Sequence, residues 1–118
     1  MSFSNILNEA LDHVRGAQLA GVVSADGLGV DMVVLDSAPD RDRLELELGE
    51  VAAAINGASQ RLSSGQVRDF LLEAERATYV ASQVMPGYYA VLAVAPESHL
   101  GRARFAAKQM AQRLQSEL

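Results

Sequence analysis

The chain has 118 residues, 49% hydrophobic and 21% charged, with a formal net charge of −5 and neither cysteine nor tryptophan. That length suits a single domain, residues 1–118, with a core of its own. Disulfides, thiolate metal sites and cysteine nucleophiles are excluded, and the longest apolar run, residues 88–95, falls far short of the roughly 20 residues that cross a bilayer, so no membrane insertion is expected.

The predicted elements begin with a helix over residues 5–15, where Ile6, Leu7, Ala10, Leu11 and Val14 recur at helical spacing. Ser4 is the expected N-cap and Gly16 the expected residue just past its end. Residues 17–24 read as a strand, and residues 30–35 as its returning partner across Asp26-Gly27, a pair suited to a hairpin turn with positive φ. A loop with Pro39 follows. Asp40 is placed to cap a long helix over residues 41–63, with Asp42 in its first turn, where the helix dipole favours negative charge. Gly65 is expected to end it.

Residues 67–74, 78–84 and 88–95 read as three strands, joined by Glu75-Arg76-Ala77 and Met85-Pro86-Gly87. A last helix over residues 99–117, capped by Ser98, turns Leu100, Ala103, Ala106, Ala107, Met110 and Leu114 inward. The order is α-β-β-α-β-β-β-α, an α+β three-layer sandwich with a five-stranded antiparallel sheet. Residues 88–95 are apolar on both faces, as a central strand covered from both sides would be. Arg68, Asp69 and Glu73 mark residues 67–74 as an edge.

On a helical wheel, Leu44, Leu48, Val51, Ile55, Ala58 and Leu62 of the long helix share a narrow arc, the expected core stripe. The opposite arc holds Leu46, Gly49, Ala53, Asn56, Gly57 and Gln60, with Glu45, Glu47, Glu50 and Arg61 pushed to the flanks. Glycine inside a helix costs about 1 kcal/mol relative to alanine. Two glycines on one non-core arc therefore point to a surface that another polypeptide approaches closely, in preference to a mildly polar solvent face. The unpaired edge at residues 67–74 offers a second means of association, with a copy of itself across a two-fold axis.

Signals for chemistry are absent. His13 and His99 are the only histidines and have no metal-ligand spacing. Ser24, His99 and Asp26 could be drawn as a triad, but no nucleophile elbow supports it. The aspartates at 26, 31, 36, 40 and 42 do not follow a calcium loop. Glu73 and Glu75 read as an exposed edge, Gly27 and Gly29 form no phosphate loop, and Tyr79, Tyr88 and Tyr89 read as packing residues. The densest basic group, Arg102, Arg104 and Lys108, reads as a solvated helix face; nucleic acid would demand a basic stripe. No catalytic residue, metal or cofactor is expected. With Glu9 and Asp12 in an N-terminus that lacks a basic region, no signal peptide is read there, and a cytoplasmic location is expected.

The stretches Ala20-Gly21-Val22-Val23-Ser24-Ala25-Asp26-Gly27-Leu28, Val51-Ala52-Ala53-Ala54-Ile55-Asn56-Gly57, residues 67–75, and residues 89–94 leading into Ser98-His99-Leu100-Gly101-Arg102 resemble, in order and spacing, the Roadblock / dynein light chain family. The resemblance covers nearly the whole chain and implies a profilin/longin-like Roadblock fold. MglB-like bacterial members are cytoplasmic homodimers that bind a small Ras-like GTPase and regulate its nucleotide state; other members are adaptors in larger complexes. The resemblance implies that edge strands 67–74 and helices 41–63 pair between two copies. It implies Leu46, Gly49, Glu50, Ala53, Asn56, Gly57, Gln60, Val67, Asp69 and Leu71 as interface residues, with Glu45 beside them. The expected function is a homodimeric, non-catalytic regulator of a small Ras-like GTPase. The alternative is a scaffold or adaptor dimer without effect on nucleotide chemistry. Nothing marks Arg61 or Arg102 as a group inserted at transferring phosphate; such a regulator would act by positioning its partner's own groups. A small-molecule sensor or minor enzyme, the third reading, would need a concave site with convergent polar groups.

Overall fold

The computed structural model describes residues 3–26, 29–34 and 41–117. Helix α1 is Phe3–His13, followed by strands β1 Ala17–Ser24 and β2 Gly29–Val34, helix α2 Arg41–Arg61, strands β3 Asp69–Glu73, β4 Thr78–Met85 and β5 Tyr88–Val94, and helix α3 Leu100–Gln115. The strands form one antiparallel sheet in the order β2-β1-β5-β4-β3. The expected element order and the three-layer architecture are both present. β5 is the central strand, with residues 89 to 94 buried throughout. β3 lies at one edge and pairs only with β4.

Strand alternation divides the core into two layers. Ala20, Val22, Val80, Val84, Ala90, Leu92 and Val94 point to α1 and α3, where Ile6, Leu7, Leu11, Ala103, Ala107, Met110 and Leu114 meet them. Leu19, Val23, Ala81, Tyr89, Val91 and Ala93 point the other way, to Leu48 and Ala52 of α2. α1 lies over β1 and β2, α3 over β4 and β5, and α2 over β1 and β2.

Several expected boundaries shift. α1 begins by Phe3, so Ser4 lies inside the helix and does not cap it. Its expected stop is real in kind: Gly16 has φ +86°, and a Cβ there would overlap Ser98 Oγ. A side chain at position 16 would be excluded by both conformation and space. α3 is capped by His99 rather than Ser98, the ring Nδ1 accepting from the Arg102 N–H at 3.1 Å. α2 ends before Gly65. Ser63 takes φ 58°, its N–H bonds to Gln60 O at 2.9 Å, and the Ser64 N–H reaches Ser59 O at 2.9 Å. That pair of bonds is a Schellman stop built on a serine. The Gly27-Leu28 part of the first turn, Pro39 and Asp40 lie outside the described residues.

The main correction concerns the orientation of α2. Its buried residues are Leu48, Gly49 and Ala52. Val51, Ile55 and Ala58 are only half-buried, and Leu62 is 76% exposed. The buried arc is thus turned by about a quarter-turn from the expected stripe, at 100° per residue. The wheel assigned the bulkiest apolar residues to the core. The chain instead sets a glycine and an alanine against its own sheet, and small side chains bring a helix closer to what it packs on. Part of the large apolar stripe is left on the flank.

Candidate functional site

Two elements of this fold carry unpartnered apolar surface. β3 is short and exposed, and its outer edge has no strand beside it among the described residues. Leu71 and Leu72 are 44% and 41% exposed, on opposite faces of the sheet. Leu72 lies in register with Tyr79 and Ala93, on the α2 side. On α2, Leu46 is 49% exposed, and Leu62, just past its end, more so. Because α2 covers the β1–β2 half of its face, the β3 end of that face carries only half-buried Phe70, Tyr79 and exposed Leu72.

The expected interface residues separate into two groups. Leu46, Glu50 and Gln60 are exposed, and Ala53 and Gly57 are half-buried. A Cβ built at Gly57 would meet only Arg61 Nη1, at 3.4 Å, so no other element among the described residues claims that space. Gly49 and Asn56 do not lie on the outer arc. Gly49 is buried, and Asn56 is turned toward the sheet, where its amide Nδ2 donates to Tyr89 Oη at 2.9 Å and to Ala52 O at 3.0 Å.

Asn56 also organises the route into β3. Its Oδ1 accepts the Val67 N–H at 3.2 Å, and Tyr89 Oη donates to Val67 O at 2.6 Å. The amide orientation that gives Asn56 these roles satisfies every member of the group. Tyr89 is fully buried, and its ring meets Phe70 edge-on at 5.7 Å. Val67 is therefore tied on both sides, and the pairing edge expected to start there starts at Asp69. Asp69 accepts from Ser82 Oγ at 2.8 Å and faces Lys108 Nζ at 3.6 Å, on the side of the sheet away from α2. The sequence held no sign of the Asn56–Tyr89 bond, since the partners are 33 residues apart and neither type is diagnostic.

The electrostatics near the α2 start are modest. Burial raises the Glu45 carboxyl above its ordinary value, outweighing the opposing pull of Arg41 at 3.8 Å. Ser24 donates to Asp26 at 2.6 Å, whereas His99 caps α3 beyond the opposite end of β1, so the three do not converge. No cluster of three or more potential metal-ligating side chains occurs among the described residues, and no helix there is long and apolar enough to cross a membrane.

Comparison with known proteins places the fold. No protein-family model matches the chain, and no curated protein matches it. Solved structures do. MglC from Myxococcus xanthus is 27% identical, each chain covered over 100%, with a TM-score of 0.73. A Roadblock/LC7 domain from Streptomyces avermitilis is 18% identical over 95% of this chain and 93% of that one, with a TM-score of 0.82. MglB solved in a tetrameric arrangement is 20% identical over 97% and 85%, with a TM-score of 0.81. The fold is thus the Roadblock/LC7 fold, and the family resemblance seen in the sequence agrees with these neighbours.

Proposed function

We propose that the chain is a homodimeric, non-catalytic Roadblock-type protein that binds a small Ras-like GTPase and modulates its hydrolysis or nucleotide exchange. The observation that carries this reading is the pairing of a free edge strand with an under-covered α2 in a fold shared with MglB and MglC. Two copies joined through β3 would continue the sheet across a two-fold axis. Each α2 would then have a neighbour for its half-buried Val51, Ile55 and Ala58 and for exposed Leu62 just past its end. Leu46, Glu50, Ala53, Gly57 and Gln60 form the flank left for a partner, with Leu71 at the strand edge. Gly49, Asn56 and Val67 support this surface from inside, and the Asp69 carboxylate is engaged within the chain. Such a surface supplies positioning; the hydrolytic groups belong to the GTPase.

The test is GTP turnover by the Ras-like GTPases encoded in the same genome, with and without the chain. The expected result is a change in rate with one of them that Gly57→Arg diminishes. A stable complex with unchanged turnover would convert the assignment to an adaptor. Binding to none of them would defeat it.

A further inference from the structure

The sheet face opposite α2 carries a second open surface. α3 covers β4 and β5 there, and β3 projects beyond it. Between α3 and β3 lies a groove of about 470 Å³, with Leu71, Val80 and Ala107 at its base and Arg104, Phe105 and Lys108 along one wall. Gly101, Arg104, Phe105 and Lys108 recur at one helical stripe, distinct from the buried stripe of Ala103, Ala107, Met110, Ala111 and Leu114. Phe105 is 66% exposed, an uncommon state for a phenylalanine in a helix. The wall is cationic in a chain whose net charge is −5. The acid of the groove, Asp69, is already offset by Lys108 and hydrogen-bonded by Ser82. Arg104 has no ion-pair or hydrogen-bond partner among the described residues.

We propose that this groove docks an acidic amphipathic helix from a partner protein. Its apolar residues would enter between Phe105 and Leu71, and its carboxylates would face Arg104 and compete with Asp69 for Lys108, whose Nζ lies 3.6 Å from the Asp69 carboxylate. A helix fits these dimensions. Residues 101–108 span about 10 Å of α3, close to two turns, and the two cations sit one turn apart, about 6 Å along the axis. Carboxylates four residues apart on a facing helix match that spacing. Groups of opposite charge at the rim set register and encounter rate, while the aromatic ring supplies the buried anchor. This surface lies on the other side of the sheet from α2 and shares only β3, with Leu71, with the surface assigned above.

The test uses the isotope-labelled full chain titrated with a synthetic helical peptide carrying leucine four residues apart and glutamate on both flanks. A control peptide replaces every glutamate by lysine. The acidic peptide is expected to bind saturably and to shift the amides of residues 101–108 and of β3. Arg104→Glu with Lys108→Gln should weaken binding at least roughly fivefold, as should exchange for the lysine peptide. Phe105→Ser should weaken it similarly. These side chains are exposed, and retained amide dispersion in each variant confirms an intact fold. Equal binding of both peptides, shifts confined to α2, or no saturation by about 1 mM would overturn the proposal. Light scattering separates the other occupant: Phe105→Glu is expected to leave the mass unchanged. A fall in mass would assign the groove to a second copy of the chain and refute the proposal.

Discussion

At the scale of single residues, the most consequential contact is one hydroxyl. Tyr89 Oη sits between Asn56 of α2 and Val67 at the entrance to β3. Tyr89→Phe keeps the ring against Phe70 but leaves the Val67 carbonyl without its donor. An unsatisfied polar group of this kind costs about 1–2 kcal/mol, which in a domain of this size lowers the melting temperature by about 4–8 °C; a thermal melt reads it directly. Two glutamates supply a pH test of opposite sign. A hydrogen bond from Arg113, and then its charge, hold the Glu9 carboxyl below its ordinary 4.5. Its contribution is present above that value and is lost as pH falls through the depressed one. Glu45 is raised, chiefly by burial. Its contribution is favourable below 4.5 and lost as pH rises through the raised value, so at neutral pH its charge opposes folding. Melts should therefore show Glu9→Gln less stable and Glu45→Gln more stable than the parent at about pH 7. Both differences should shrink as the buffer is acidified below the ordinary carboxylate range.

At the scale of elements, the end of α2 stores a removable cost. Ser63 is the one non-glycine residue with positive φ among those described. Ser63→Gly relieves that conformation at the position where helices favour glycine, and chemical denaturation should register a gain of about 0.5–1 kcal/mol. The same helix shows where local patterning stops being informative. The strands were legible because alternation and turn residues act over neighbours: β1 begins and ends where expected, and the residues around Pro86-Gly87 turn as they should, with Gly87 at φ +86°. The edge character of β3 was legible from its charges. The face of α2 was not, because a wheel ranks side chains by hydrophobicity and assumes a single apolar surface to bury them. Here the sheet takes Gly49 and Ala52, and Leu62 stays outside. The two glycines read together as one approached surface are split by the fold. At position 49 the helix lies buried within its own domain, whereas at 57 no other element comes within 4 Å of an added Cβ among the described residues. The α3 cap was missed for a related reason: Ser98 and His99 can both accept a hydrogen bond, and in the fold Ser98 lies against Gly16 while His99 supplies the cap.

At the scale of the whole molecule, the exposed apolar side chains are unevenly placed. Leu46 lies on α2, Leu62 just past its end, and Leu71 and Leu72 on β3, with only Met85 and Phe105 of the large apolar side chains exposed elsewhere among the described residues. A net charge of −5 disfavours indiscriminate association, so pairing needs a surface that fits, and an open strand edge supplies one through fixed backbone hydrogen bonds. A standard interface takes roughly 800 Å² from each partner, about an eighth of the 6864 Å² this chain exposes. Light scattering at micromolar concentration should therefore return twice the chain mass. Because the dimer would be favoured by mass action, its melting temperature should climb with concentration. Leu72→Lys places a charge on the α2 side of the edge, where strands discourage pairing by that means. It should halve the mass and abolish the concentration dependence while leaving the circular dichroism spectrum intact, because Leu72 is already half in solvent and its loss opens no cavity in the core. A parent chain that scatters as a single copy at every concentration would leave the β3 edge unpaired and remove the basis for a two-fold assembly.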